Sequence, residues 1–373
     1  MINILVYGIS TEIGGIESFF LNFLEHTKND CFNFDFILSS KNDVQYKQTL
    51  DETNSNIIKV TPWGENPLKH GKEVKKIVQG KKYDYIWVNT TSASNISIFK
   101  ISKKYSNAKL IIHSHGAAFE SRNKGMKYYL LKLLDKINKT RISHYGDILF
   151  ASSNDAALWL FDTVKNVHII YNGIESSKYL YNRVERNQMK KELNLENKEI
   201  LLTMGRLEEV KNHEFLIDIM PELIKHNKNR QLLILGQGSL ENVLKTKVRE
   251  LGLQDHIFFL GFKEKIENYL EIADLFLLPS KSEGLSIATI EAQASGLQCV
   301  VSNAVPSEVK VTDSVYRKDI SSPDEWIGVI EYLLDKEVDR IEMNTIVKDS
   351  DFDISKTVSV LRTVLKEGGN NAK

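Results

Sequence analysis

Two doubly wound α/β domains, each built on a parallel sheet, are expected from this sequence on three grounds. Short β-branched apolar runs alternate with helix-length stretches along nearly the whole chain, the pattern of repeated βαβ units. Many of these runs are apolar at consecutive positions, as strands covered on both faces are. The length, 373 residues, suits two domains of roughly 100–200 residues each.

The strand runs form two series. The first occupies 3–7, 34–38, 57–60, 85–89, 110–113, 148–151 and 168–171. The second occupies 199–204, 231–235, 256–260, 274–278, 298–302 and 314–317. Asn172-Gly173 marks a turn between them, and the stretch 174–186 is polar and aperiodic. A first domain over 1–172, a linker over 173–196 and a second domain over 197–351 are therefore expected. A helix near 352–367 is expected to pack back on the first domain, with a frayed tail at 368–373. Ligands of such folds bind outside the carboxyl ends of strands. The loops after the runs, facing each other across a cleft between the domains, are where chemistry is sought.

Composition narrows the function classes. Lys plus Arg total 49 and Asp plus Glu total 49, which argues against a nucleic-acid binder working through bulk charge. Cys31 and Cys299 form neither a disulfide framework nor a metal-ligand spacing, and they fit a reducing cytoplasm. The first residues enter a strand pattern directly, without the features of a secretory signal. No stretch reaches the ~20 apolar residues of a membrane span. A soluble cytoplasmic chain is expected, resting at most on a membrane surface.

The most informative stretch runs from Ser282 to Gly296, after a strand and the breaker Pro279-Ser280. Glu283, Gly284 and Leu285 form a loop, a helix opens near Ser286 and Ile287, and Gly296 stops it. Unpaired N–H groups at that helix start suit a diphosphate. Glu283 in the loop and Glu291 inside the helix cannot bind phosphate. They can accept hydrogen bonds from hydroxyls on either side of it, which a nucleotide sugar supplies at both ends. This stretch resembles the signature of retaining GT-B glycosyltransferases of family 4, and the resemblance extends through further motifs in order.

Gly205-Arg206-Leu207, then Lys211-Asn212, follows the first strand of the second series. Arg206 as a fork and Lys211 as a point charge can converge on one diphosphate, and the resemblance implies that role. Gly236-Gln237-Gly238 matches the family's Gly-x-Gly, which lets the backbone approach the nucleotide. Gly261-Phe262 matches the position that meets the base, although Phe262 could equally be a core residue. Gly14-Gly15-Ile16-Glu17 opens the first helix after a loop too long for a dinucleotide fingerprint. It resembles the family's glycine loop, whose backbone faces the donor phosphate and the acceptor. His113-Ser114-His115 ends another strand. The resemblance implies a His beside the donor sugar, with His115 favoured and His113 the runner-up. Asn89-Thr90 is a further candidate on the acceptor side. Asn172-Gly173-Ile174-Glu175 resembles the interdomain turn, with Glu175 where many relatives have Asp.

The segment 120–141 carries seven basic residues, Arg122, Lys124, Lys127, Lys132, Lys136, Lys139 and Arg141, against Glu120 and Asp135. Tyr128, Tyr129, Leu130, Leu131, Leu133 and Leu134 interleave. Such a helix can lie on anionic lipid, or its apolar side can pack on its own domain.

The resemblance implies a retaining transferase moving a hexose or N-acetylhexosamine from a nucleoside-diphosphate sugar, UDP by preference. The acceptor would be a saccharide or lipid-linked saccharide in surface polysaccharide assembly. Arg206, Lys211 and the helix start would stabilise the leaving diphosphate. Glu291 would hold the ribose, Glu283 a donor-sugar hydroxyl, and His115 would orient the sugar. No cofactor or metal is called for beyond the donor. The alternatives are a hydrolysing sugar-nucleotide epimerase, a nicotinamide-dependent dehydrogenase and a non-catalytic nucleotide-binding subunit.

Overall fold

A computed structural model describes residues 1–53, 55–116 and 125–368. The chain divides into two compact units, Met1–Gly173 together with the segment from Ile354, and Ile174–Asp353.

The first unit is a parallel sheet of seven strands. Its elements in chain order are β1 (Ile2–Ile9), α1 (Gly15–His26), β2 (Phe32–Leu38), α2 (Lys47–Glu52), β3 (Asn56–Lys59), α3 (Pro67–Gly80), β4 (Tyr85–Thr90), α4 (Ser97–Tyr105), β5 (Lys109–Ser114), α5 (Met126–Ile142), β6 (Ile148–Ala151), α6 (Asn154–Phe161) and β7 (His168–Ile169). The second unit holds α7 (Arg183–Glu192), β8 (Glu199–Met204), α8 (His213–His226), β9 (Arg230–Leu235), α9 (Glu241–Glu250), β10 (Ile257–Gly261), α10 (Ile266–Ile272), β11 (Leu275–Leu278), α11 (Ile287–Ala294), β12 (Cys299–Ser302), β13 (Val315–Lys318), α12 (Pro323–Leu334) and α13 (Arg340–Asp349). The last helix, α14 (Ile354–Glu367), returns to the first unit.

Strand order is β3-β2-β1-β4-β5-β6-β7 in one sheet and β10-β9-β8-β11-β12-β13 in the other. All named pairings are parallel. Each order reverses once, between β1 and β4 and between β8 and β11. Crossover helices leave in opposite directions on either side of such a point, which opens a crevice at the carboxyl ends of the two strands. Every residue of β9, β11 and β12 is buried, which explains why these strands are apolar at consecutive positions.

In the first unit, Phe19, Phe20 and Phe23 of α1 pack with Trp87, Phe36 and Phe150 on one face of the sheet. Ile354, Val358, Leu361, Val364 and Leu365 of α14 complete that layer. The opposite face is covered by α3, α4, α5 and α6 through Val74, Val78, Ile98, Phe99, Ile142 and Leu160.

Of the stretch 173–196, expected to be a linker, residues 174–196 belong to the second unit and Gly173 to the first. It contains a helical turn, Ser176–Tyr179, and then α7. Asn182 caps α7 by accepting from the N–H groups of Val184 and Glu185. Arg186 of α7 donates to the carbonyls of Glu271 and Ala273 and to the Asp274 carboxylate. The helix is held by polar contacts rather than by an apolar stripe, so it shows no hydrophobic period.

Candidate active site

In the second unit the candidate residues gather at the carboxyl ends of β8, β9 and β11. The turn after β8 is shaped by glycine. Gly205 and Gly236 take φ values of +152° and +132°, which L side chains rarely adopt. A Cβ on Gly236 would lie 2.0 Å from the Gly205 carbonyl oxygen, and one on Gly238 would lie 2.4 Å from that of Leu207. The loops after β8 and β9 thus touch backbone to backbone, and Leu207 N–H donates to Gln237 O at 3.0 Å.

The loops after β8 and β11 are tied by three further bonds. Lys281 N–H donates to Val210 O at 2.8 Å. Asn212 Nδ2 donates to Pro279 O at 3.1 Å, and Lys211 Nζ donates to Glu283 Oε1 at 2.6 Å. Ser280 Oγ donates to the same carboxylate oxygen at 2.5 Å. Lys211 and Glu283 are therefore brought together, both largely shielded from solvent. Arg206 is exposed and makes no ion pair among the described residues. Its guanidinium is free to meet an anion at the same strand end.

The helix that opens after this loop is α11, with Ser286 as its N-cap residue and Gly296 beyond its end at φ +73°. Leu285 and Ile287 flank the N-cap and are partly buried, while Gly284 is exposed. Ser286 does not cap with its side chain. Thr289 Oγ1 donates to Ser286 Oγ at 2.9 Å instead, so the first N–H groups of the helix keep their capacity for an anion.

Glu291 lies about one turn further on and accepts from Tyr179 Oη at 3.0 Å. Burial pushes its carboxyl up to about 7, opposed by the Tyr179 bond and reinforced by the nearby Glu267. Burial, and after it the same carboxylate, push the Tyr179 hydroxyl far above its ordinary value. Phe262 follows β10, where Gly261 takes φ +69°, and its ring is 66% exposed. The ring is an apolar platform at the rim of the sheet rather than a core residue.

In the first unit the candidates gather at the ends of β1, β4 and β5. Gly8 takes φ +96°, and a Cβ there would lie 2.2 Å from Asn89 O. The glycine loop after β1 is held by Glu17, which is buried. Its carboxylate accepts from Ser10 N–H at 2.7 Å and Gly14 N–H at 3.0 Å. Gly14 is the N-cap residue of α1 and Gly15 its first residue, so Glu17 closes half of a capping box. Gly15 O also accepts from Asn172 Nδ2 at 3.1 Å.

His113 and His115 differ sharply. His113 is fully buried among Phe19, Trp87 and Phe150. His115 stands just past the strand, with its ring 3.8 Å from that of His113. Its Nε2 lies 3.0 Å from Asn89 Oδ1. Asn89 Nδ2 donates to Tyr7 O at 3.2 Å, so the Asn89 oxygen faces the histidine and His115 Nε2–H is the donor. Burial pushes His115 down to about 3, and His113 well below its ordinary value. His115 is thus neutral, with Nδ1 left as a bare acceptor. Thr90 accepts from His115 N–H at 3.0 Å and turns its hydroxyl to Ser92 O.

Three contributors carried no role on sequence reading. Glu17 was visible as Gly-x-x-Glu, the spacing of a capping box. Ser280 was visible only as part of a breaker. Tyr179 stands 112 residues from Glu291 and has no local signal. Among the described residues no group of three or more His, Cys, Asp or Glu is placed to hold a metal.

The two parallel-sheet, Rossmann-like units have the fold of GT-B glycosyltransferases. Residues 184–348 match the family described as Glycosyl transferases group 1. EpsF of Bacillus subtilis, classed as a glycosyltransferase, is 24% identical over 83% of this chain and 82% of its own. An Escherichia coli UDP-Gal:α-D-GlcNAc-diphosphoundecaprenol α-1,3-galactosyltransferase is 29% identical over 61% of this chain and 60% of its own. The Anabaena protein HepE, solved in complex with UDP-glucose, shares the fold with a TM-score of 0.78 at 17% identity, over 98% of this chain and 100% of that chain. The family match thus falls on the second unit, and the relatives this chain resembles are named as glycosyltransferases.

Proposed function

We propose that the chain is a retaining, family 4 enzyme that transfers a hexose or N-acetylhexosamine from a UDP-sugar to a saccharide or lipid-linked saccharide. The setting is surface polysaccharide assembly at the cytoplasmic face of the membrane. One observation carries the donor site. The loops after β8 and β11 meet at the reversal point of the second sheet, where the Lys211–Glu283 pair, the free Arg206 and the α11 start stand together. Similarity to chains named for UDP-galactose transfer and solved with UDP-glucose supports UDP as the nucleotide.

Each group has a defined task. Departure of the diphosphate leaves negative charge on phosphate oxygens, and Arg206, Lys211 and the α11 N–H groups stabilise it. Glu291, held by Tyr179, accepts from ribose hydroxyls. Glu283, relieved of Lys211 by the diphosphate, accepts from a donor-sugar hydroxyl. Phe262 offers a face to the base, and Gly236 and Gly238 let the backbone come close. In the first unit, His115 Nδ1 accepts from a sugar hydroxyl, and the loop of Gly14 and Gly15 presents backbone N–H groups. Retention follows if the leaving phosphate takes the acceptor proton on the same face as the bond that breaks.

The test is calorimetric titration with UDP, GDP and NAD, followed by NMR of the product. UDP should bind, and Arg206→Ala should weaken it by roughly tenfold to a hundredfold, as loss of a charge-assisted bond implies. The product should keep the donor's anomeric configuration. Release of free UDP without an acceptor would favour the epimerase, and preference for NAD would end the donor assignment.

A further inference from the structure

Tyr7, near the end of β1, packs on the sheet face that α3 and α4 cover. This is the face away from His113, which sits among Phe19, Trp87 and Phe150. The Tyr7 hydroxyl lies 3.1 Å from Nε2 of His70 in α3. His70 is buried, and its Nδ1 lies 2.8 Å from Thr61 O. A carbonyl only accepts, so the neutral ring carries its hydrogen on Nδ1 and leaves Nε2 bare. Tyr7 is therefore the donor to His70. Glu73 of α3 also holds Thr61, accepting from its N–H at 2.7 Å and its hydroxyl at 3.2 Å. All three polar groups of Thr61 are thus bonded to α3, and Tyr7 stands at the end of that chain of bonds.

The consequence is an oxygen with a fixed polarity. Burial pushes the Tyr7 hydroxyl above its ordinary value, so it stays neutral. Its proton is committed to His70, and Tyr7 itself remains partly exposed. Ser39 is within reach of the same oxygen. A phenol oxygen has two lone pairs, so one is left to accept.

The neighbouring strand supplies further hydroxyls. β4 pairs with β1, Val88 opposite Tyr7, and the loop after it leads into α4. Ser92 and Ser94 in that loop are partly exposed, with their oxygens 2.9 Å apart. α5 fixes the loop, since Asp135 accepts from Ala93 N–H at 2.6 Å and Asn138 Nδ2 donates to Ala93 O at 2.9 Å.

These loops offer no spare charge. The loop 91–96 contains no charged residue. In the loops after β2 and β3, Lys41 pairs with Glu65 at 2.8 Å and Asp43 with Lys59 at 2.6 Å. Asp135 pairs with Lys139 at 3.3 Å. These two charges of α5, counted from sequence as part of a basic surface, are internal ties. Glu120, Arg122, Lys124 and the Lys127 side chain of that segment lie outside the described residues. A phosphate or carboxylate would bring its own lone pairs against that of Tyr7. A sugar hydroxyl can donate to Tyr7 and accept from a serine.

We infer that Tyr7 and the serines of the loop after β4 bind an uncharged sugar ring of the acceptor. His70 is the positioning residue that leaves the Tyr7 oxygen as an acceptor. The inference rests on the transferase reading above and names the chemical class of the acceptor's docking ring.

The test is saturation-transfer NMR of the full chain with UDP present. The neutral probes are the methyl α-glycosides of glucose, galactose and N-acetylglucosamine. The charged probes are methyl α-glucuronide and α-glucosyl phosphate. At least one neutral glycoside should bind, and the charged probes should bind at least roughly tenfold more weakly. Tyr7→Phe should weaken the neutral glycoside roughly fivefold to tenfold, the loss of one hydrogen bond. His70→Phe should do the same, because the Tyr7 proton loses its fixed acceptor. His70→Gln, whose amide offers Tyr7 an acceptor and Thr61 O a donor, should stay within about twofold of the parent. Calorimetric affinity for UDP should be parental in all three variants. Failure of every neutral glycoside to bind, a charged probe that binds as well, or parental affinity in Tyr7→Phe overturns the inference. Equal losses in both His70 variants overturn its positioning role. The UDP titration is a separate arm. A chain that binds UDP and no glycoside loses this site and keeps the transferase reading, whereas a chain that fails to bind UDP loses that reading first.

Discussion

Asn89 fixes the tautomer of His115, because its amide nitrogen is committed to Tyr7 O and only its oxygen is left to face the ring. Asn89→Leu should therefore lower kcat by roughly tenfold to a hundredfold, the loss of one buried hydrogen bond to a polar group. KM for the donor should change little. Asn89→Asp, which still accepts from Nε2–H, should keep most of the activity. Equal losses in both variants would show a packing role only. Glu291 makes a pH prediction. Its carboxyl titrates at about 7 because it is buried beside Tyr179 and near Glu267. The ionised form is the better acceptor for ribose hydroxyls. UDP affinity should therefore rise as pH increases through about 7, and Glu291→Gln should flatten that part of the profile in calorimetry. At this scale the sequence exposes residue types but not partners. Glu283 and Lys211 are legible as site candidates, yet their 2.6 Å pairing is set by two loops 72 residues apart. Tyr179 is invisible for the same reason.

The strands were the legible elements. Burial on both faces demands consecutive apolar side chains, and that demand is written locally in β8, β9, β11 and β12. α11 was legible from its boundaries, with Ser286 before it and Gly296 after it. α7 was not, because its sequence RVERNQMKKE buries only Lys190 and its anchors are Glu271 near the end of α10 and Ala273 and Asp274 between α10 and β11. α5 misleads in the opposite direction: Asp135 and Lys139 read as surface charges and are internal ties. The contact between the turns after β8 and β9 gives an element-scale prediction. Gly236→Ala should cost about 2–3 kcal/mol in urea unfolding, from the positive φ and the collision with Gly205 O. It should also weaken UDP binding, because relief of the collision displaces Arg206. A variant with parental stability would show that the two turns can part freely.

At the scale of the whole molecule, the chain leaves the first unit at Gly173 and re-enters it at Ile354. Thr357 Oγ1 donates to Tyr171 O at 3.1 Å, and Arg362 pairs with Asp30 at 2.5 Å, so the return is anchored by polar bonds as well as by the apolar face of α14. Such a return is hard to read from sequence. The amphipathic pattern of α14 says that one face is buried, and it does not say against which sheet. The first unit is thus incomplete without the segment from Ile354, whereas the group 1 family match, 184–348, lies wholly inside the second. Leu361 is fully buried in the first unit's core, and Leu361→Ala should cost about 2–5 kcal/mol there. Arg206, Lys211, Glu283 and Glu291, proposed to hold the donor, all belong to the second unit. UDP affinity measured below the unfolding temperature should therefore equal that of the parent. A fall in affinity that tracks the loss of stability would mean that the nucleotide site needs the first unit intact, and would move part of that site out of the second sheet's loops.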